Sequence, residues 1–196
     1  GCMALNFSLE SANEEILEMM KKYVKKEYFS EQIKILKEAG VMAYCSVVFG
    51  YPLETRETIQ QTFDLCLQNR IYPSVGFLMP LPYTEMYEYA KKHGFITDED
   101  LYLDSITERQ DICLNMTKMS DEEIMGQIKE NALKLNELLE LGLDESNLIK
   151  TGGARNHTNL KTHWQSKDAL DPEEIKRIEN DFSFNYSQTV LGESYV

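Results

Sequence analysis

Three short segments of this sequence gather residue types that suit a polar ligand held at strand ends. The first carries Ser8, Glu10 and Ser11, the second Gly50, Tyr51, Pro52 and Glu54, and the third Pro80, Pro82, Tyr83, Thr84 and Glu85. An ionised Glu10 offers two acceptor oxygens, enough for two hydroxyl hydrogen bonds such as a ribose presents. Gly50 has no Cβ, so its backbone can approach a flat ligand closely. Each residue also has a plainer reading. Glu10 near a helix start complements the helix dipole, Gly50 makes a turn, and Glu54, Glu57 and Glu85 are first-turn carboxylates of the helices that follow. Met19 and Met20 read as core fillers. His93, His157 and His163 are scattered, and no second ligand stands at metal spacing beside them. The sequence holds no glycine-rich phosphate loop, no Ser-His-Asp order and no His-Glu-x-x-His helix.

The segments acquire meaning from the elements around them. Residues 3–9 alternate as a strand does, with no turn or cap before them, which suggests a domain that opens upstream. Ser11 or Asn13 then caps a helix with an Ile16, Leu17, Met19 and Met20 stripe, running to about Lys22. Ser30 caps a second helix whose Ile33, Ile35, Leu36 and Ala39 face inward, and Gly40 ends it in the left-handed conformation. Val41 to Phe49 is almost continuously apolar, the pattern of a parallel strand covered on both faces. Thr55 caps a helix with Ile59, Phe63, Leu65 and Cys66, reaching about Asn69. A third strand is expected at about Ser74 to Met79, followed by a helix from Thr84 to about His93 that Gly94 stops. Each strand-helix unit takes about 30 residues, the length of a right-handed βαβ crossover, so the sequence predicts α/β construction with parallel strands. The three segments are then strand-to-helix loops on one rim, where ligands of parallel sheets and barrels bind.

Beyond Gly94 the rhythm changes. Thr97-Asp98-Glu99-Asp100 starts a short helix, and Asp111 to Met116 reads as an edge strand. Ser120 with Glu123 forms a capping box for a helix buried through Ile124, Ile128, Ala132, Leu135, Leu138 and Leu139 and ended at Gly142. Residues 145–196 are less organised, with Gly152-Gly153, a short helix after Pro172 and the single Trp164.

The chain has 196 residues, 42% of them hydrophobic, and a formal net charge of -13. It is long enough to bury a core, and its excess of negative charge repels a phosphate backbone, which argues against general nucleic-acid binding. No apolar run approaches the roughly 20 residues that span a bilayer, and the first residues lack a signal-peptide layout, so a cytoplasmic location without membrane partners is expected. Cys2, Cys45, Cys66 and Cys113 are too far apart for a disulfide framework or metal knuckle and read as buried thiols.

The rim segments resemble a known family. Leu5-Asn6-Phe7-Ser8-Leu9-Glu10-Ser11, followed by Glu15-Ile16-Leu17 and Met20-Lys21-Lys22, looks like the fourth-strand segment of radical S-adenosylmethionine enzymes. Ala39-Gly40-Val41 and Val47-Val48-Phe49-Gly50-Tyr51-Pro52-Leu53-Glu54-Thr55 are similar to the family's fifth strand. Pro80-Leu81-Pro82-Tyr83-Thr84-Glu85-Met86-Tyr87 resembles its stretch after strand six. The three matches occur in order over residues 1–95 and are nearest to a subfamily whose members often carry an N-terminal cobalamin-binding domain.

The resemblance implies a parallel-stranded partial TIM-type barrel, of which residues 1–95 form strands four to six with their helices, residues 96–144 a mainly helical extension and residues 145–196 a tail. It further implies a [4Fe-4S] cluster that reductively cleaves S-adenosylmethionine to a 5'-deoxyadenosyl radical, with cobalamin as a further cofactor in the subfamily. Carried onto this chain, Ser8 and Glu10 contact the ribose or methionyl part of the cofactor. Val48 and Gly50 run along the adenine, and Leu78, Met79 and Pro80 line its pocket. Two positions depart from the pattern, since Ser8 and Tyr83 stand where the family usually has Gly. No Cys-x-x-x-Cys-x-x-Cys is present, so the cluster ligands and the N-terminal half of the barrel are expected upstream, as a partner of this half. The substrate is left unspecified, with Arg155 and Trp164 as tail candidates for contacting it. The competing reading is a non-catalytic α/β binding or structural module, or a subunit that completes a barrel with another chain.

Overall fold

The apolar run before Gly50 forms the middle strand of the sheet, but it is covered on both faces only toward Phe49, since Met42 and Tyr44 are exposed. The computed structural model describes residues 1–106, 112–145 and 148–149. Its elements run β1 (Ala4–Glu10), α1 (Glu14–Met19), α2 (Lys26–Glu38), β2 (Met42–Phe49), α3 (Arg56–Gln68), β3 (Pro73–Phe77), α4 (Glu85–Lys92), α5 (Glu99–Ser105) and α6 (Asp121–Leu138). The sheet has the order β1-β2-β3, and both pairings are parallel. The α/β construction is therefore as expected, in a three-stranded parallel sheet with helices.

Strand alternation divides the sheet into two unlike faces. Phe7, Leu9, Cys45, Val47, Phe49, Val75 and Phe77 join Phe29 and Ile33 of α2, Ile59, Phe63 and Cys66 of α3, and Ile124, Ile128 and Leu135 of α6 in one apolar core. Phe49 and Phe63 stack there with ring centroids 5.8 Å apart. On the opposite face the register pairs Asn6 with Tyr44, Ser8 with Ser46 and Ser46 with Ser74, and Val48 with Gly76. That face is small and polar, and Asn6 Nδ2 donates to Ser46 Oγ at 3.3 Å. Among the described residues it is covered at the carboxyl ends of the strands, where Val48 and Leu78 pack with Tyr87, Ala90, Ile96, Tyr102 and Met116.

Several boundaries differ from expectation, each for a local reason. α1 stops at Met19, and Lys21 turns left-handed with φ +55°. α2 begins at Lys26, before Ser30, and Lys25 caps it without a side-chain bond. Ser30 instead sits within the helix and accepts a hydrogen bond from Asn69 Nδ2 at 3.0 Å. The earlier start sets the buried face at Phe29 and Ile33, leaving Ile35 and Ala39 exposed. β3 ends at Phe77 rather than Met79. Residues 112–116 form no strand. There Asn115 makes its own local hydrogen bonds, accepting from Thr117 N at 2.9 Å and donating to Met119 O at 2.8 Å, which competes with a ladder. Leu138, expected inside, is exposed at the end of α6. The capping box formed by Ser120 and Glu123 and the left-handed Gly40, Gly94 and Gly142 are as expected. Asp111, Gly152-Gly153, Arg155, His157, His163, Trp164 and the helix after Pro172 lie outside the described residues.

Candidate functional site

The parallel sheet places all three loops at the carboxyl ends of neighbouring strands. β1 breaks register between Ser8 and Glu10, and Glu10 takes φ +64°. This irregular end turns the Glu10 carboxylate toward Lys22, whose Nζ lies 3.1 Å from Oε1. Helix α1 is capped by Asn13, which accepts from Ile16 N, and carries its own first-turn Glu14 and Glu15. Glu10 therefore lies outside that turn and is held as a largely buried partner of Lys22. Ser8, two residues back, is exposed on the small polar face beside Ser46.

At the second loop Gly50 adopts φ +99°, a conformation that L side chains rarely take. A Cβ there would meet Leu78 Cβ and N at 3.8 Å, an ordinary contact, so the backbone angle is what requires glycine. Leu78 N donates to Phe49 O at 2.8 Å, which extends the β2-β3 pairing to the rim. Val48, Leu78 and Pro80 are buried and Met79 is half-buried. The Pro80 carbonyl accepts a hydrogen bond from Tyr102 at 2.7 Å, so α5 braces the third loop. The structure thus brings Ser8, Glu10, Val48, Gly50, Leu78, Met79 and Pro80 to one end of the sheet, with Val48 and Leu78 already packed against α4 and α5.

At the third loop Tyr83 takes φ +67° and is fully exposed. The position at which Tyr replaces the family's usual Gly thus has a glycine-like backbone angle. Lys21, just past the end of α1, pairs with Glu85 at the start of α4 after the third loop, with Nζ and Oε1 2.5 Å apart.

Glu54 is the rim residue whose surroundings differ most from the sequence reading. It is 2% exposed, although a carboxylate beside a helix start normally faces water. Its Oε1 accepts the Thr58 hydroxyl hydrogen bond, while Oε2 is buried without a partner. Burial pushes its pKa from the ordinary 4.5 to about 7, against the opposing pull of the Thr58 hydroxyl and the Gly50 amide. The sequence carried one signal of this, the spacing of Thr58 and Thr62, which puts two hydroxyls on one face of α3 with Glu54 just before its Thr55 cap.

At the opposite end of the sheet, a groove of about 530 Å³ is lined by Lys37, Val41, Arg70, Ile71, Tyr72 and Leu139, among others. The carboxyl ends of α2, α3 and α6, at Ala39, Asn69 and Leu139, fall in its neighbourhood. Lys37 Nζ donates to Asn69 O at 2.6 Å, so its charge offsets a helix end. Among the described residues no group of three His, Cys, Asp or Glu side chains could hold a metal ion, and no helix is long and apolar enough to cross a membrane.

Comparison with known proteins gives partial similarities to enzymes. The chain is 33% identical over 91 residues to an uncharacterized methyltransferase of Pyrococcus horikoshii, covering 46% of this chain and 20% of that protein. It is 28% identical over 104 residues to bacteriochlorophyllide d C-12(1)-methyltransferase of Chlorobaculum tepidum, covering 52% and 23%. Over 130 residues it is 22% identical to tRNA-2-methylthio-N(6)-dimethylallyladenosine synthase of Sulfurimonas denitrificans, covering 65% and 29%. The chain thus spans about a quarter of the length of these curated relatives. No protein-family model matches it.

Proposed function

We propose that the chain is the C-terminal part of a radical S-adenosylmethionine enzyme and supplies one side of its cofactor rim. The observation that carries this reading is the convergence of three motif-bearing loops at the carboxyl ends of adjacent parallel strands. The methyltransferase names of two relatives support methyl-group chemistry, and the third supports its methylthiolating counterpart. When bound, S-adenosylmethionine supplies either a carbon-centred radical or a methyl group.

The residues present fit that cofactor. Glu10 provides an anionic acceptor for ribose hydroxyls or the methionyl amine, with Ser8 beside it. Val48 and Gly50 offer an edge along the adenine, and Leu78, Met79 and Pro80 present backbone to it. The residues do not fit an iron-sulfur cluster, because no cysteine triplet exists in the sequence. The cluster, and cobalamin if the reaction methylates an unactivated carbon, belong to the remainder of a partial barrel joined at the outer edge of β1. Exposed Leu5 on that strand and exposed Met3 just before it support such an addition. The small polar face of Asn6, Ser46 and Ser74 then forms part of the reaction chamber's wall.

The test is S-adenosylmethionine titration of the full-length protein. Glu10→Ala is expected to weaken binding at least about tenfold, the loss of one charge-assisted hydrogen bond, while leaving the cluster's visible absorption unchanged. Unchanged affinity would reduce Glu10 to its ion pair with Lys22.

A further inference from the structure

We propose that Glu54 is a positioning residue for the cofactor rim: as a neutral carboxylic acid it ties the Gly50 turn to α3 and thereby to the loop that carries Glu10. This rests on the cofactor reading above, and it names a residue that touches neither cofactor nor reacting atoms.

The case is geometric. Glu54 closes the turn after Gly50, its N–H donating to Tyr51 O at 2.8 Å. Its side chain folds back onto α3, where the Thr58 hydroxyl donates to Oε1. That hydroxyl also accepts from Thr55 N at 2.9 Å, so the same oxygen fixes the start of the helix. One turn further along α3, Thr62 Oγ1 donates to Thr58 O at 3.1 Å and accepts from Ala12 N at 3.0 Å. Ala12 follows Ser11 in the loop after Glu10, and Ser11, Ala12, Glu54, Thr58 and Thr62 are all buried. A continuous buried polar seam therefore runs from the second rim loop to the first.

The seam tolerates a neutral acid far better than an anion. Among the described residues no protein donor bonds Oε2, and an unpaired charge in such a place is strongly penalised. The charged side chains of the rim loops and of the α3 start are engaged elsewhere. Arg56 binds Glu123 of α6 at 2.9 Å, and Glu10 pairs with Lys22 at 3.1 Å. Glu85 pairs with Lys21 at 2.5 Å, and Glu57 takes hydrogen bonds from its own amide and Thr55. Among the described residues no ion pair reaches Glu54, whose proton affinity is raised by burial. Ionisation draws the carboxylate toward water, which opens the Tyr51–Glu54 turn and displaces Gly50.

Two readouts on the full-length protein test this, the second without any cofactor. Between about pH 6 and about pH 8.5, wild-type affinity for S-adenosylmethionine should fall about tenfold, whereas Glu54→Gln, which mimics the neutral acid, should hold the low-pH affinity throughout. In hydrogen exchange corrected for intrinsic rates, the segment over residues 50–58 should open about tenfold more in wild type than in Glu54→Gln at the upper pH, and equally at the lower. If wild type and Glu54→Gln share one pH profile in both readouts, or folded Glu54→Gln binds weakly at every pH, the proposal is overturned. Absence of S-adenosylmethionine binding by wild type at every pH would sink the cofactor reading, and the exchange comparison would still judge Glu54. Should Glu54→Gln fail to fold, the proposal is judged on Thr58→Val, which must shift wild-type exchange at residues 50–58 in the same pH-dependent way.

Discussion

At Glu54, two opposing effects act on a single carboxyl group, and burial outweighs hydrogen bonding. The consequence for stability follows from linkage. The folded state holds the proton more tightly than the unfolded chain, so the stabilisation is complete below about pH 4.5 and is lost as pH rises to about 7. Glu54→Gln should therefore match wild type in urea denaturation at about pH 4 and exceed it by up to about 3 kcal/mol at about pH 8. Equal pH dependence of the two proteins would show that Glu54 is ionised and solvated. This residue also shows where sequence reasoning stopped. Its position just before the Thr55 cap reads as a first-turn acid, whereas the tertiary fold buries it against the Thr58 and Thr62 face of α3. Glu10 moved differently: its rim position was legible, but its pairing with Lys22 depended on the left-handed end of β1.

Among the elements, legibility followed the strength of local chemistry. β2, α3 and α6 were readable because an unbroken apolar run, a Thr55 cap and a Ser120 capping box each have a single good structural outcome. α2 was misplaced at its start because Lys25 supplies no capping side chain to mark it. The 112–116 segment has strand-like composition, yet Asn115 satisfies nearby backbone groups and folds it into a turn. The β3–α4 turn is the place where Tyr83 stands in a glycine-like backbone position. Tyr83 takes the left-handed angle that glycine adopts without cost, with its side chain fully in water. Tyr83→Gly should raise the stability of the protein by about 1 kcal/mol, since relief of backbone strain outweighs glycine's greater unfolded-state entropy. A loss of stability in thermal denaturation would mean that Tyr83 makes contacts beyond those of an exposed ring.

For the whole molecule, the governing feature is the difference between the two sheet faces. One is sealed by α2, α3 and α6, with Ile124 and Ile128 of α6 fully buried in the same core as Phe49 and Val47. The other presents Asn6, Ser8, Tyr44, Ser46 and Ser74 away from that core, the arrangement expected of a wall facing a polar chamber. Parallel strand order and the common rim were readable from βα spacing. The polar face was not, because continuous apolar composition in Val41 to Phe49 hides which residues point each way. The central claim is that S-adenosylmethionine lies along this rim. Photoaffinity labelling of the full-length protein with an 8-azido derivative of S-adenosylmethionine, followed by peptide mapping, tests it most directly. The account predicts label in the peptides containing residues 48–50 and 78–80, displaced by unmodified S-adenosylmethionine. Label that avoids both peptides, or that gathers at the opposite end of the sheet around Lys37 and Tyr72, would contradict it.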